Sequence, residues 1–264
     1  MGMEVQDMKL LETQAISINF GGLKAVDEVD SHIEDGEIVS LIGPNGAGKT
    51  TFFNLITGFL RPTKGKVIYM GKEITGLPAY QIAACGVVRT FQKTNIFSEV
   101  TVKEGVSLGF HMKRHCPAWQ IILNGRDAKK EQKEVERGTS EVLAFTRLTP
   151  WSEFRGKNLP YGKQRILEIA VALAASPHLV LLDEPATGLN PKETQELMNL
   201  IRRIRVEKGI TICLIEHNMN VVIGISDRII VLNYGKKIAE GNPKEISRDK
   251  SVIEAYLGRG FGHA

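Results

Sequence analysis

The sequence predicts an α/β fold, with a parallel core sheet, an inserted α-helical subdomain and a short C-terminal helix. Three apolar runs, at 37–42 (EIVSLI), 179–183 (LVLLD) and 210–215 (ITICLI), have the length and composition of buried parallel strands. Helical patterns separate these runs, and the segments 50–58 and 192–209 each place their apolar residues on one face. Strands that alternate with amphipathic helices indicate an α/β sheet.

The chain of 264 residues is long enough for one large domain that carries an insertion. Residues 103–157 are rich in charge, have a helical pattern and lack a strand-like run of comparable quality. We therefore predict an α/β core formed by 1–92 and 164–241, with the helical subdomain at 93–163. Residues 242–264 form a tail, in which DKSVIEAYLG is predicted to be a short helix.

The composition narrows the classes of protein and partner. The net charge is +4 and the pI is about 8.9, but the cations are scattered rather than clustered with aromatic residues, so no nucleic-acid partner is expected. The three cysteines are widely spaced, which favours reduced thiols over disulfides or a zinc site. The apolar runs fall short of the roughly 18 residues of a membrane-spanning helix. The opening MGMEVQDMKL does not have the pattern of a secretory signal.

The segment GPNGAGKT at 43–50 matches the phosphate-binding pattern GxxxxGK[ST]. It follows the apolar run EIVSLI and precedes a helical pattern, a context that a chance glycine-rich turn does not explain. Its glycines allow a tight loop whose backbone N–H groups point at phosphate oxygens, and the helix start adds positive charge. Lys49 is predicted to reach the β- and γ-phosphates and Thr50 to hold Mg²⁺. The core is therefore predicted to be a P-loop NTPase sheet of the RecA-like type.

Polar residues follow the other two apolar runs and complete a candidate hydrolytic site. Asp183 ends one run and is suited to a metal contact through water, while the adjacent Glu184 is suited to act as a general base. Without the P-loop, this pair would more simply be a helix cap or a surface turn. His217 follows the run ITICLI, where such sheets bind their ligands, although a lone histidine is commonly structural. Gln92 in RTFQ enters the insertion and could sense the metal or the water.

The segment NLPYGKQRILEIA at 158–170 begins a helix with an unusual start. Its apolar residues recur at helical spacing, but Pro160 stands where a Ser, Thr, Asp or Asn cap is expected. Lys163 and Arg165 add positive charge near the end of the helix that is already positive. This arrangement predicts an anion at the helix start.

The motifs together resemble the ATP-binding cassette of ABC transporters. They are, in chain order, GPNGAGKT, RTFQ, LPYGKQR, LVLLDEPATGLNP and LIEHN. With FGGLKAVDEV near the start and VIEAYLG near the end, the chain is similar to the ATPase subunits of branched-chain amino-acid importers. The resemblance implies that ATP hydrolysis with Mg²⁺ powers uptake through separate transmembrane permease subunits, indirectly served by a substrate-binding protein. It also implies a peripheral location on the cytoplasmic face of the inner or plasma membrane.

The resemblance assigns a role to individual residues. Phe20 stacks on adenine, although by itself it would be taken for a core aromatic. Gln92 is the Q-loop residue and a metal contact with Thr50 and Asp183, Glu184 is the base, and His217 is the switch histidine. Lys49 is also among the catalytic residues. The residues that contact the nucleotide are Phe20, Gly43, Pro44, Asn45, Gly46, Ala47, Gly48, Lys49, Thr50, Thr51, Gly162 and Lys163.

The resemblance also identifies the anion predicted at the start of the helix. In such cassettes, two ATPase subunits, identical or paralogous, pack head to tail, and each signature helix faces the γ-phosphate held by its partner. The signature here is LPYGK instead of the common LSGGQ, so Pro160 supplies neither a hydroxyl nor an N–H, while Gly162 is retained. Lys163 could supply charge in place of the lost hydroxyl contact. Asn190 stands where the family pattern has an aspartate.

Two further expectations concern the partners. Permease docking is predicted around 92–102 and 119–123, where the Q-loop meets the insertion, although Trp119 and Ile122 could equally be core residues of the insertion. Export of a lipid or lipopolysaccharide is an alternative with the same fold. A soluble ABC ATPase of DNA repair or translation is an alternative from another class. Proteins of that class usually carry a long coiled coil or a second cassette, and this sequence shows neither.

Overall fold

The computed structural model of the protein describes residues 9–90, 98–111 and 125–257, with only the backbone described at 125–129 and 257. The strands are β1 (Lys9–Phe20), β2 (Leu23–Glu34), β3 (Ile38–Ile42), β4 (Lys64–Tyr69), β5 (Lys72–Glu73), β6 (Val87–Arg89), β7 (Leu179–Asp183), β8 (Thr211–Ile215), β9 (Arg228–Asn233) and β10 (Lys236–Gly241). The helices are α1 (Lys49–Ile56), α2 (Ala79–Ala84), α3 (Val102–His111), α4 (Gly125–Phe145), α5 (Tyr161–Ala174), α6 (Pro191–Lys208), α7 (Met219–Ile225), α8 (Pro243–Ile246) and α9 (Lys250–Leu257).

The chain divides into two compact units, Met1–Ile82 with Leu179–Ala264, and Ala83–His178. The first unit contains an antiparallel sheet of order β2-β1-β4-β5 and a mainly parallel sheet in which β3 lies between β9 and β8, and β8 pairs with β7. Every residue of β3, β7 and β8 is buried, as their continuous apolar runs predict. Because these strands are parallel, their carboxyl ends lie at one edge of the sheet, and the three motif loops begin there.

Helix α6 illustrates how local sequence sets the helix ends. The Asn190 side chain accepts a hydrogen bond from Glu193 N at 3.0 Å, and the Glu193 carboxylate accepts one from Asn190 N at 3.1 Å. This capping box, together with Pro191, fixes the start of the helix. Gly209 ends it with φ 64° in the left-handed region. The asparagine that replaces the family aspartate therefore works as a helix cap.

The second unit is mainly helical, as predicted for the insertion, and it also contains the short strand β6. Its limits differ from the sequence-based boundaries at 92/93 and 163/164. It contains all of α5, because this helix packs closely against α3. A Cβ at Gly109 of α3 would collide with the backbone oxygen of Val171 in α5. The glycine therefore permits the close approach of the two helices, and α5 is held in this unit by that packing.

The tail does not stand apart from the core. Val252 of α9 is buried in a cluster formed by side chains from β3, α7, β9 and α8. The buried members of this cluster are Ile42, Val222, Ile229, Val231, Ile246 and Val252. The predicted tail at 242–264 thus contributes two helices, α8 and α9, to the first unit.

Two expectations from composition can be compared with the described residues. In the ranges 9–90, 98–111 and 125–257, every helix lacks the length and apolar character needed to cross a bilayer. Cys85 and Cys213 are free thiols, and Cys213 is buried in β8. Burial raises the pKa of the Cys213 thiol well above its usual range.

Candidate active site

The loop between β3 and α1 has a backbone that only glycine accommodates at two positions. Gly43 has φ 150°, and a Cβ there would collide with the backbone oxygen of Leu232. Gly48 has φ 98° and precedes α1, and a Cβ there would collide with the backbone oxygen of Ala25. No side chain caps the start of α1, so its first backbone N–H groups face the loop. This is the geometry of an anion-binding loop.

Lys49 is folded back onto the loop that precedes it. Its ammonium donates to Gly43 O at 2.7 Å and to Pro44 O at 2.9 Å, and the residue is only 6% exposed. Burial lowers the pKa of Lys49, and the carboxylates of Glu184 and Asp183 oppose this shift. Lys49 therefore lies within the electrostatic reach of both predicted acidic residues. To bind a phosphate, its ammonium must exchange two carbonyl oxygens for phosphate oxygens.

The structure brings Glu184 and His217 together. His217 Nε2 lies 2.9 Å from Glu184 Oε1. Glu184 directly follows β7, and His217 is the second residue after β8. Glu184 has φ 49°, a left-handed conformation that is costly for a residue with a side chain. Its backbone N–H donates to Ile215 O at 2.9 Å, which holds this conformation in place. Asp183, immediately before it, is 3% exposed at the end of β7.

Glu216 is a functional candidate that the sequence pattern does not reveal. Its carboxylate is 1% exposed and accepts three backbone N–H groups, from Ala186 at 2.7 Å, His217 at 3.0 Å and Asn218 at 3.2 Å. It therefore ties the loop after β7 to the loop that carries His217. The only sequence signal is an acidic residue directly after a buried strand.

The phosphate-binding loop, Glu184 and His217 line one cavity of about 420 Å³. Phe20 is half exposed on its wall, which excludes the alternative that it is a core aromatic. Tyr234 is a second aromatic on the wall, which the sequence pattern does not identify. The lining residues are Phe20, Leu23, Lys24, Ala25, Asn45, Gly46, Ala47, Gly48, Lys49, Thr50, Thr51, Glu184, His217 and Tyr234.

Several predicted residues lie elsewhere. Gln92 and most of the docking region predicted around it lie outside the described residues, as does 119–123. Gly162 and Lys163 are in the first turn of α5, in the second unit. Pro160 is the N-cap of this helix and makes no side-chain cap hydrogen bond, as expected from its sequence. The start of α5 thus retains the unusual character that predicts an anion.

Arg165 does not have the exposed, unbalanced charge that is expected of a residue that binds an anion at the helix start. Its guanidinium is buried, lies 3.2 Å from Glu168 Oε2 and donates to the Tyr161 hydroxyl at 2.6 Å. It also stacks over the Tyr161 ring, 5.1 Å from the ring centre. Because its charge is balanced within the helix, Arg165 is not available to bind an anion at the helix start.

Comparison with known families agrees with this geometry. Residues 26–187 match the family model described as ABC transporter. Residues 236–262 match a second model, described as branched-chain amino acid ATP-binding cassette transporter. The second match covers β10, α8 and α9, which lie beyond the general cassette match.

Two curated relatives extend along most of the chain. The high-affinity branched-chain amino acid transport ATP-binding protein LivG of Escherichia coli (strain K12) is 45% identical over 94% of this chain and 98% of the relative. The protein BraF of Pseudomonas aeruginosa, with the same description, is 42% identical over the same shares of the two chains.

Solved structures share the fold. A nucleotide-free ATP-binding cassette from an ABC transporter has a TM-score of 0.84 and 32% identity, over 95% of this chain and 100% of the other. A cassette in an ADP conformation has a TM-score of 0.83 and 32% identity, over 95% and 99%. A dimeric cassette in a post-hydrolysis state, bound to ADP and Pi, has a TM-score of 0.73 and 26% identity, over 88% and 98%.

Proposed function

Because the chain belongs to the ABC transporter family of ATP-binding cassettes and is an ATPase, we propose that it powers the import of branched-chain amino acids. The observation that carries this proposal is the match of 236–262 to a branched-chain transporter family, in a segment outside the general cassette match. The names of the LivG and BraF relatives support the same substrate class. The family match at 236–262 and these two relatives favour import over lipid or lipopolysaccharide export, the alternative with the same fold.

ATP binding is the first step of the proposed cycle. The half-exposed ring of Phe20 offers a surface on which adenine stacks at the cavity wall. The backbone N–H groups of the P-loop and the uncapped start of α1 bind the phosphates. The ammonium of Lys49 leaves Gly43 O and Pro44 O and pairs with the β- and γ-phosphates, where it forms stronger charge-assisted bonds.

The donor set also suits Mg²⁺. This ion prefers oxygen ligands and binds in such sites through one or two protein groups together with substrate phosphates. Thr50 supplies a hydroxyl and is exposed in the first turn of α1. Asp183 supplies a carboxylate, which is close enough to influence the pKa of Lys49, the residue that precedes Thr50. We propose that these two residues hold the ion, with Gln92 as a third contact. When bound, Mg²⁺ neutralises charge that develops on the phosphate oxygens.

Glu184 is the proposed base in hydrolysis. Its carboxylate accepts a proton from the attacking water while the water oxygen bonds to the γ-phosphorus and the bond to the β-phosphate oxygen breaks, releasing ADP. His217, 2.9 Å from Glu184 Oε1, orients this carboxylate before ATP enters. It then contacts the γ-phosphate from the carboxyl end of β8, which lies beside β7.

The other half of the site comes from a second cassette, identical or paralogous. The uncapped start of α5 offers the Gly162 region and the Lys163 ammonium to the γ-phosphate of the partner. The solved cassette that is described as dimeric and bound to ADP and Pi supports pairing of two cassettes. ATP then holds the two subunits together, and hydrolysis separates them.

The remaining partners follow from the import function. Separate permease subunits form the channel, and a substrate-binding protein delivers the amino acid to them. The cassette is placed peripherally at the cytoplasmic face of the membrane.

In proteoliposomes that contain this chain and its permease subunits, we expect leucine-loaded binding protein to stimulate ATP hydrolysis severalfold, and lysine in place of leucine to have no effect. Stimulation by a lipid or lipopolysaccharide alone would contradict import and support the exporter alternative.

Glu216 provides a test of how the two catalytic loops are positioned. Replacement by Gln puts an amide N–H₂ where the carboxylate now accepts three backbone N–H groups, and hydrogen bonds to a charged group contribute about 1.5–3 kcal/mol. For Glu216→Gln we therefore expect kcat to fall by about 10- to 100-fold. The Kd for Mg-ATP should change little, because the hydrogen bonds described for Glu216 go to Ala186, His217 and Asn218 and not to the P-loop. The exposed Glu153→Gln variant is a matched control. A loss of binding with unchanged kcat would contradict this positioning role.

A further inference from the structure

The C-terminal helix makes a direct hydrogen bond to the phosphate-binding loop. Gly43 N donates to the hydroxyl of Tyr256 at 2.9 Å, across a sequence separation of 213 residues. Gly43 is the first residue of the loop, at the point where β3 ends. Its backbone N–H is thus held by a side chain from α9.

Both polar groups of Gly43 are engaged from opposite directions. Tyr256 accepts from its N–H, and Lys49 donates to its carbonyl oxygen at 2.7 Å. When the Lys49 ammonium transfers to phosphate, the carbonyl contact is lost. The bond to Tyr256 does not depend on the ammonium and can keep Gly43 in its unusual conformation at φ 150°.

The helix that carries Tyr256 is itself anchored. Val252, one turn earlier on α9, is buried in the hydrophobic cluster that also contains Ile42, the residue that precedes Gly43, and Val222 of α7. The spacing of four residues places Val252 and Tyr256 on one face of the helix. Burial raises the pKa of the Tyr256 hydroxyl, and the Gly43 N–H opposes this shift only in part. The hydroxyl therefore stays neutral at physiological pH.

We infer that Tyr256 is a positioning residue for nucleotide binding, and that the C-terminal helix completes the phosphate-binding loop from outside the cavity. The inference rests on ATP binding at this loop but not on the identity of the transported solute. It gives a physical role to residues 236–262, which match the branched-chain transporter model and lie outside the general cassette match.

The test is Tyr256→Phe, which keeps the ring and removes only the hydroxyl. Leaving the Gly43 N–H without this acceptor should weaken binding of a fluorescent ADP analogue, and raise the KM for ATP, by about fivefold. We expect kcat to stay within about twofold of the parent, because none of the side-chain hydrogen bonds described for Glu184 and His217 reaches α9. Both quantities are measured on the purified full chain.

Two further variants separate positioning from a general structural effect. Tyr80→Phe is the matched control, since Tyr80 is exposed and its hydroxyl bonds only locally, to Gln81 at 3.2 Å. Val252→Ala should lower the Tm by loosening α9, whereas Tyr256→Phe should leave the Tm of the nucleotide-free chain nearly unchanged. Parental nucleotide affinity in Tyr256→Phe would overturn the inference, as would a fall in Tm that accounts for the weaker binding. Failure of leucine-stimulated hydrolysis would instead count against the transport proposal alone.

Discussion

Glu184→Gln is expected to slow ATP hydrolysis by about 10²- to 10⁴-fold, the range typical for loss of a positioned general base. The amide has nearly the shape of the carboxylate but cannot accept the proton from the attacking water. Because the P-loop and Lys49 are unchanged, Mg-ATP should still bind with parental affinity. Single-turnover hydrolysis, together with the affinity for a fluorescent ATP analogue, separates the two steps.

The same variant should accumulate as an ATP-bound dimer, because hydrolysis no longer separates the subunits. Size-exclusion chromatography with and without ATP measures this directly. Adding Lys163→Gln in the Glu184→Gln background should raise the ATP concentration needed for dimerisation, since the proposed contact to the partner's γ-phosphate loses its charge. A Glu184→Gln protein that hydrolyses ATP normally and remains monomeric would remove Glu184 from the role of base.

Lys49→Ala should weaken Mg-ATP binding by about 10²- to 10⁴-fold, because two charge-assisted contacts to phosphate are lost at about 1.5–3 kcal/mol each. Hydrolysis should fall with binding. The substitution should also lower the stability of the nucleotide-free loop, because Gly43 O and Pro44 O lose the hydrogen bonds that the Lys49 ammonium donates to them. Isothermal titration with Mg-ATP measures the affinity, and the Tm of the nucleotide-free chain reports the effect on the loop.

A matched control for charge is Lys72→Ala, at an exposed position on β5. Lys49→Arg provides a second comparison, because its guanidinium keeps the charge but has a different size and donor geometry. We expect Lys49→Arg to lose much of the affinity as well. Near-parental binding and turnover in Lys49→Ala would show that the loop is not the phosphate site.

The parts of the site that the sequence predicts are those in which a local motif follows a buried strand. The apolar runs locate β3, β7 and β8, and their parallel pairing brings the P-loop, Glu184 and His217 to one cavity. Hydrophobic pattern is a strong signal in such strands because both faces are buried. The confirmed fold class therefore depends on features that can be recognised over a few neighbouring residues.

The parts that the sequence does not predict depend on contacts between distant residues. Glu216 bonds to Ala186 across 30 positions, and Tyr256 bonds to Gly43 across 213. Neither pairing has a periodicity or a spacing that distinguishes it in one sequence. Arg165 shows the converse, because the local charge pattern suggests an exposed cation while the fold buries it beside Glu168. Burial decides the role of each of these side chains.

The position of β3 in the sheet has a consequence for synthesis of the chain. This strand and the P-loop after it leave the ribosome early, yet β3 pairs with β8 and β9, which lie in the last quarter of the sequence. At translation rates of about 5–20 residues per second, the strand waits on the order of 10–40 seconds for its neighbours. During that interval, an apolar segment followed by a glycine-rich loop has no sheet to join. The nascent polypeptide therefore acquires its capacity to bind ATP only when translation is nearly complete.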